Sequence, residues 1–178
     1  MKVDREYVQT FPIMGGNFAN AGTASVEVKS ILVKMGLDNV NVRRIAIAVY
    51  EAEMNVVLYA RRGEMTLRIS PDRVFFIIED EGRGIEDIPL AMSEGYTTAD
   101  ESIRELGFGG GMGLPNIRRN ADYVRISSAP MKGTRLEAGF DVAGDSPPDL
   151  DEEKTLTTSQ EGGWNICVWK IREWTPCS

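Results

Sequence analysis

The chain contains no histidine, and that absence excludes several kinds of chemistry. It rules out a histidine-based catalytic triad, a histidine-ligated metal and a phosphohistidine carried by the chain itself. Cysteine is also scarce, because Cys167 and Cys177 are the two thiols of the sequence. Two cysteines without a Cys/His cluster do not make a zinc site. We therefore expect reduced thiols and a mechanism that uses no imidazole.

Basic residues and long apolar runs are also in short supply. The 20 Lys and Arg residues are outnumbered by 27 Asp and Glu residues, which gives a net charge of -7 and a pI near 4.8. A nucleic-acid partner would require a basic stripe, and an anionic membrane surface would repel such a chain. Residues 1–6 are charged without an apolar leader, and no apolar run reaches transmembrane length. We predict a cytoplasmic protein that contacts neither nucleic acid nor membrane.

The composition that remains is typical of one globular domain with a sizeable core. The chain has 178 residues, 42% of them hydrophobic, and a domain of about 150 residues buries about two-thirds of its unfolded surface. Apolar periodicity and turn residues predict a strand at 3–13 and a helix from about Thr23 to Met35. A second helix is predicted from the region of Asp38 to about Arg61, with Gly63 as its stop, followed by strands at Met65–Ile69 and Val74–Asp80. The remaining predicted elements are a helical turn at Asp87–Met92, a helix at Leu114–Ala121, and a hairpin of 123–128 with 134–140. Helices gathered on one face of a mainly antiparallel, mixed sheet give an α+β two-layer sandwich.

A glycine-rich loop, residues 107–114, stands directly before Pro115 at a predicted helix start. Glycines let a backbone approach a ligand closely, and a helix N-terminus offers free N–H groups to phosphate. The loop is not a Walker A motif, because Gly113 is followed by Leu114. It is not a dinucleotide-binding fingerprint either, because Met112 occupies the position of the third glycine. Taken alone, it is either a phosphate loop of another kind or a flexible linker.

Polar residues interrupt the second predicted helix, which is apolar over most of its circumference. Glu51 and Asn55 stand four residues apart and therefore share one face, whereas Glu53 points elsewhere. Polar groups on a mostly buried helix need hydrogen-bonding partners or have a functional role. The alternatives are a structural role, in which Glu51 forms an ordinary helix salt bridge and Asn55 is satisfied inside a helix bundle, and a functional site.

A second cluster follows the buried strand that ends near residue 80. An apolar run that ends at Ile78 leads into Glu79 and Asp80, and Asp80 is followed by Gly82 and Gly84. Turn chemistry alone would explain the glycines, but packing explains a carboxylate at this position poorly.

Four motifs in this order resemble the N, G1, G2 and G3 boxes of the GHKL ATPase superfamily, whose domains share the Bergerat fold. They are Glu51-x-x-x-Asn55 on a helix, Asp80-x-Gly82-x-Gly84 after a strand, the 107–113 loop before a helix, and Gly133-Thr134 at a hairpin. Within that superfamily the chain is most similar to the small bacterial anti-sigma and switch serine/threonine kinases of the RsbT, RsbW and SpoIIAB type. Residues 95–98 and 111–115 resemble the RsbT branch most. The resemblance covers residues 1–143.

The resemblance implies roles for individual residues. It implies that Glu51 is the general base, that Asn55 is a ligand of Mg²⁺, and that Asp80 accepts a hydrogen bond from the adenine amino group. A lid over ATP would span about residues 93–113. The implied nucleotide-binding residues are Asn55, Asp80, Gly82, Gly84, Ile85, Tyr96, Thr97, Gly107, Gly109, Gly110, Gly111, Met112, Gly113, Leu114 and Thr134.

The resemblance also implies a function. It implies an ATP- and Mg²⁺-dependent protein serine/threonine kinase that acts by partner switching on a STAS-domain, anti-anti-sigma-like protein or on a sigma factor. The alternative is a non-catalytic, ATP-dependent binding protein that sequesters a sigma factor or activates a phosphatase. A homodimer is left open. The catalytic domain of a histidine kinase is disfavoured, because the chain has no histidine to phosphorylate.

Two segments depart from the family pattern. Residues 100–106 lengthen the lid, and residues 144–178 form an acidic linker and a tryptophan-rich extension beyond the domain. Thr155–Gln160 is interpreted as part of the linker, and the extension carries all three tryptophans, Trp164, Trp169 and Trp174. The extension is either docked on its own domain or a docking element for a partner or a second protomer.

Overall fold

The computed structural model describes residues 6–144, 153–171 and 174. The strands are β1 (Tyr7–Met14), β2 (Ala60–Ile69), β3 (Arg73–Gly82), β4 (Tyr123–Ala129), β5 (Gly133–Asp141), β6 (Thr155–Glu161) and β7 (Trp164–Lys170), and the helices are α1 (Thr23–Lys34), α2 (Asn39–Tyr59), α3 (Ile88–Ala91), α4 (Glu101–Glu105) and α5 (Gly113–Asn120). No helix among these residues combines the length and the hydropathy needed to cross a bilayer.

The strands form one seven-stranded sheet in the order β1-β2-β3-β5-β4-β7-β6. Every strand pair in the described part of the chain is antiparallel, so the parallel pairing that a mixed sheet requires is absent there. Cross-strand rows such as Phe76, Ala138 and Val124 are fully buried on one face, which packs against α2 and α5. The predicted α+β sandwich is confirmed.

Helix α2 carries Glu51 and Asn55, and different features of the chain determine where the helix begins and where it ends. Asp38 caps its start by accepting hydrogen bonds from backbone N–H groups of the first turn. The helix ends at Tyr59 and the chain enters β2 at once. The prediction that Gly63 stops this helix was therefore wrong. Gly63 lies within β2, and a Cβ there would lie 2.8 Å from the Glu79 carbonyl oxygen and 2.9 Å from Val56. Close packing of the strand against its neighbours explains this glycine.

Glu53, on the same helix, has a structural role. It is 3% exposed, and its carboxylate accepts hydrogen bonds from the backbone N–H groups of Gly22, Ala24 and Ser25 at 2.9 to 3.1 Å. These are free donors at the start of α1, whose N-cap residue, Gly22, has no side chain to satisfy them. Glu53 therefore fastens α1 to α2.

The sheet continues across the predicted domain boundary at residue 143. Strand β7 pairs with β4, and β6 pairs with β7. The linker predicted at Thr155–Gln160 is thus wrong, because these residues form the edge strand β6, in which hydroxyl and β-branched side chains suit an exposed strand. The acidic residues 145–152 lie outside the described residues.

Trp174 covers part of the sheet face opposite the helices. Its ring stacks on Tyr123 with centroids 5.6 Å apart, and the Arg73 guanidinium lies 4.6 Å from the ring centroid. A Cβ on Gly139 would lie 2.3 Å from the indole. The glycine therefore provides the space in which the tryptophan docks.

Candidate functional site

One cavity of about 1440 Å³ lies between α2, the end of β3, α3 and the glycine loop. All the site residues predicted from the sequence line it: Glu51, Asn55, Asp80, Gly82, Gly84, Ile85, Tyr96, Thr97, Gly107, Gly109, Gly110, Gly111, Met112, Gly113, Leu114 and Thr134. They come from positions spread over more than 80 residues of the chain, so only the tertiary fold brings them together.

At one end of the cavity, α2 faces the start of α5. Built onto Gly113, a Cβ would lie 3.3 Å from Asn55 Oδ1 and 3.5 Å from Glu51 Oε2. The amide of Asn116 donates to Glu51 Oε1 at 2.8 Å. The N-terminus of α5 therefore lies against the two predicted polar residues of α2. Asn116 was missed as a site residue, although its place in the first turn after the glycine loop was a usable signal.

Asp80 lies deeper in the cavity, between a loop and a hairpin. Its Oδ1 accepts hydrogen bonds from the backbone N–H of Gly82 at 2.8 Å and of Thr134 at 3.3 Å. Burial raises the pKa of this carboxyl group above its ordinary value, and the two backbone hydrogen bonds oppose that shift. Oδ2 accepts no hydrogen bond from the described residues, so it is available to a ligand.

Ser128 organises the same end of the cavity and was missed by the sequence analysis. It is fully buried; its hydroxyl accepts from the Ile85 N–H at 2.8 Å, donates to the Gly133 carbonyl at 2.8 Å and lies 3.0 Å from the Thr134 hydroxyl. At Gly84, where φ is +73°, a Cβ would lie 2.0 Å from a carbonyl oxygen of β4. The loop after β3 is thus fastened tightly to the β4–β5 hairpin.

The lengthened part of the predicted lid forms the short helix α4. Asp100 caps its start by accepting from the Ile103 N–H at 3.0 Å. Gly107, with φ of +84°, ends it: the Gly107 N–H donates to the Arg104 carbonyl at 2.9 Å and the Phe108 N–H to the Ile103 carbonyl at 3.2 Å. This is a Schellman arrangement, in which a left-handed glycine closes a helix. The added residues thus have their own local structure.

Two contacts hold the lid: a backbone hydrogen bond at its base and an aromatic contact made by Phe108. The Gly95 N–H donates to the Gly111 carbonyl at 3.0 Å, which joins the two ends of the lid. At Gly111, φ is +72° and a Cβ would lie 2.5 Å from the carbonyl carbon of Gly95. The ring of Phe108 stacks on Phe18 with centroids 6.0 Å apart. Gly111 is therefore a position where the backbone itself needs glycine.

Arg83 supplies positive charge at the cavity wall. Its guanidinium lies 5.1 Å from the centroid of the Tyr59 ring and hydrogen-bonds the Thr98 hydroxyl, and all three residues line the cavity. This arginine is not one of the site residues predicted from the sequence. Arg119, which follows the glycine loop, instead pairs with Glu94 at 2.7 Å on the surface.

The residues at the α2–α5 end fit a hard divalent cation that is bound together with a phosphate ligand. Among the described residues, no three Asp, Glu, His or Cys side chains are grouped to hold a metal by themselves. The amide oxygen of Asn55 instead faces the start of α5, where it could be one oxygen ligand of such a cation, and the Glu51 carboxylate lies beside it. Magnesium favours this situation, in which phosphate and water complete the octahedron.

Comparison with known proteins places most of the chain in one sequence family. Residues 17–140 match the family described as "Histidine kinase-like ATPase domain". The "Serine/threonine-protein kinase RsbT" of Bacillus subtilis is 31% identical over 114 residues, which cover 62% of this chain and 80% of that relative. An "Anti-sigma F factor" of Caldanaerobacter subterraneus is 35% identical over 92 residues, 49% of this chain and 61% of that relative. Among solved structures, the "Histidine kinase domain from Erythrobacter litoralis EL346 blue-light activated histidine kinase" aligns with a TM-score of 0.39 and 17% identity over 69% of this chain and 61% of that chain.

Proposed function

The chain belongs to the histidine kinase-like ATPase family, and from that premise we propose that it is an ATP- and Mg²⁺-dependent protein serine/threonine kinase that regulates a partner protein. One similar protein is named a serine/threonine-protein kinase and others are named anti-sigma F factors, which supports regulation by partner switching. The observation that carries the proposal is the convergence of Glu51, Asn55, Asp80 and the glycine loop on one cavity.

In this proposal the adenine base lies at the Asp80 end of the cavity. Its exocyclic amino group would donate to Asp80 Oδ2, and the Thr134 hydroxyl would face the ring directly or through water. Gly82 and Gly84 keep the loop packed closely beside Asp80, because a Cβ on Gly82 would lie 2.8 Å from Asp80 Oδ1 and a Cβ on Gly84 would lie 2.0 Å from the Ala129 carbonyl oxygen.

The phosphates lie at the opposite end in the same proposal, against the glycine loop. The N-terminus of α5 and the N–H groups of the preceding loop provide donors for phosphate oxygens. Asn55 would hold Mg²⁺ through its amide oxygen, and when bound the ion would offset the negative charge of the phosphates. The residues of this end therefore position the transferred group.

The proposed transfer needs one proton acceptor near the attacking hydroxyl. Glu51 would accept the proton of a Ser or Thr hydroxyl while the hydroxyl oxygen forms a bond to the γ-phosphorus and the bond from that phosphorus to the bridging oxygen of ADP breaks. The Asn116 hydrogen bond to Oε1 holds the carboxylate and leaves Oε2 toward the start of α5.

The proposed partner is a small STAS-type antagonist protein, which would be phosphorylated on Ser or Thr. A second candidate function, favoured by the relatives named anti-sigma F factors, is ATP-dependent sequestration of a sigma factor without catalysis. Incubation with labelled ATP, Mg²⁺ and STAS-domain proteins encoded nearby separates the two candidates. Phosphoserine or phosphothreonine on a partner supports the kinase. Acid-labile phosphate would exclude it, and absence of label would favour the binding protein.

We expect Asp80→Asn to weaken ATP binding by about 10- to 100-fold, since a hydrogen bond to a charged group contributes about 1.5–3 kcal/mol. The matched control is Glu81→Gln at the next position, where the carboxylate is exposed and pairs with Arg61 and Arg62. Equilibrium titration with ATP should distinguish the variants. Equal affinities for Asp80→Asn and the wild type would contradict the placement of the base.

We expect Gly111→Ala to weaken ATP binding and to increase hydrogen exchange in the lid, because a Cβ would collide with Gly95 at the base of the lid. Gly36→Ala is the matched control, since Gly36 also has a left-handed φ, +83°, but lies outside the cavity and a Cβ there meets no atom within 4 Å. The expected loss for Gly111→Ala is on the order of tenfold, corresponding to backbone strain of about 1–3 kcal/mol. Indistinguishable affinities in the two alanine variants would rule out this role of the lid base.

A further inference from the structure

Strands β6 and β7 lie outside the segment that matches the family, yet they line the cavity of the candidate site. The match ends at residue 140, and the hairpin contributes Thr158, Gln160, Asn165 and Cys167 to the cavity wall beside α3. Thr158 is opposite Cys167 and Gln160 is opposite Asn165 in the β6–β7 pair. These four residues form one row on a single face of the hairpin, because side chains two positions apart along a strand share a face.

Two amide groups of this row connect the hairpin to the loop after β3. The Asn165 side chain donates to the Glu86 carbonyl at 3.2 Å, and its own oxygen accepts from the Gln160 amide at 2.7 Å. One residue before Glu86, the Ile85 N–H is bonded to Ser128 at 2.8 Å. The loop is thus held from two sides, by Ser128 and by Asn165.

The residue after Glu86 is the N-cap of helix α3. Asp87 caps this helix by accepting from the Leu90 N–H at 2.9 Å, and Pro89 and Leu90 line the cavity as well. A hydrogen bond to the Glu86 carbonyl therefore fixes both the loop that carries Gly84 and the short helix that follows it. In the described residues, the side-chain hydrogen bonds of Asn165 do not extend to Glu51 or Asn55 at the other end.

We propose that Asn165 is a positioning residue for nucleotide binding, through which the C-terminal hairpin holds the loop of residues 84–87 against the base. This inference rests on the proposed function, because it assumes that the base lies at the Asp80 end. It assigns the extension to nucleotide affinity and not to the transfer step. Loss of the amide should weaken ATP binding and leave the rate at saturating ATP unchanged.

The test uses the full chain with Asn165→Asp, which keeps the size of the side chain and its bond to Gln160 but removes the donor to Glu86. The matched control is Thr157→Ala, because Thr157 is exposed on β6, outside the cavity. We expect Asn165→Asp to raise the Kd and the KM for ATP about fivefold to tenfold. The kcat should stay within about twofold of the wild type, and the backbone amides of residues 85–88, 90 and 91 should exchange faster.

The outcomes are separable. Three results would overturn the inference while the proposed function stands. They are an unchanged Kd for ATP in Asn165→Asp, an equal rise of the Kd in Thr157→Ala, and a fall of kcat in Asn165→Asp as large as the rise of KM. If the wild type itself binds no ATP, the proposed function fails and the inference with it. If Asn165→Asp does not fold, the test uses Gln160→Met, which removes the amide that orients Asn165. A twofold to threefold rise in the Kd for ATP in this variant supports the role of Asn165, and an unchanged Kd refutes it.

Discussion

Replacing Glu51 by glutamine should lower the rate of phosphoryl transfer by about 10²- to 10⁴-fold and leave the affinity for ATP nearly unchanged. Glutamine keeps the size of the side chain and an oxygen that accepts from Asn116, whose amide donates to Glu51 Oε1 at 2.8 Å. It removes the basicity that a proton acceptor needs. The loss should therefore fall on kcat and not on binding.

The measurement is the single-turnover rate of phosphoryl transfer from labelled ATP to an unphosphorylated partner protein, together with an ATP titration. Glu53→Gln is an instructive control, because Glu53 lies on the same helix but accepts three backbone hydrogen bonds at the start of α1. That variant should lower the thermal midpoint and retain transfer in the folded fraction. A Glu51→Gln variant that transfers phosphate at the wild-type rate would exclude Glu51 as the base.

Replacing Arg44 by methionine should lower the free energy of unfolding by about 3–5 kcal/mol, the usual cost of removing one partner from a buried ion pair. Arg44 is 2% exposed and pairs with Asp122 at 3.0 Å. It also donates to the carbonyls of Asn120 at 3.1 Å and Asp141 at 2.6 Å. Methionine fills the space but leaves the Asp122 carboxylate and both carbonyls without this donor.

The control for this prediction is the neighbouring Arg43→Met, because Arg43 is exposed on the same helix. Surface substitutions of this kind usually change stability by less than about 0.5 kcal/mol. Urea unfolding followed by circular dichroism should therefore separate the two variants clearly. A stability loss below about 1 kcal/mol for Arg44→Met would show that solvent or other groups already satisfy Asp122.

The Arg44 contacts also bear on the candidate site. Arg44 joins α2 to the end of α5, while Asn116 joins the start of α5 to Glu51. The two helices that face each other across the proposed phosphate end are therefore held at two points. We expect Arg44→Met to weaken ATP binding in the folded fraction as well, by less than Asp80→Asn does.

Local patterns predicted much of the fold. The apolar stripe of α1, a cap for α2 in the region of Asp38 and the turn between β2 and β3 depend on residues close in sequence, so their physical causes could be seen in the chain itself. Predictions failed where long-range packing decided the outcome. Gly63 was interpreted as a helix stop because a glycine after a helix commonly has that role, but it is needed where β2 packs against Val56 and the Glu79 carbonyl. Thr155–Gln160 was interpreted as linker because its partner strand β7 could not be inferred from composition.

The sequence by itself determined the kind of site: a carboxylate and an amide one helical turn apart, a carboxylate before two glycines, and a glycine loop before a helix. These motifs are local, since each depends on the chemistry and spacing of a few neighbouring residues. Only the tertiary structure decided how they are held. Asn116 reaches Glu51 across 65 residues, Ser128 reaches Ile85 across 43, and Asn165 reaches Glu86 across 79. No periodicity encodes such pairs, because the first forms only when α5 packs on α2. The other two form only when the sheet order brings β4 and β7 beside the loop after β3.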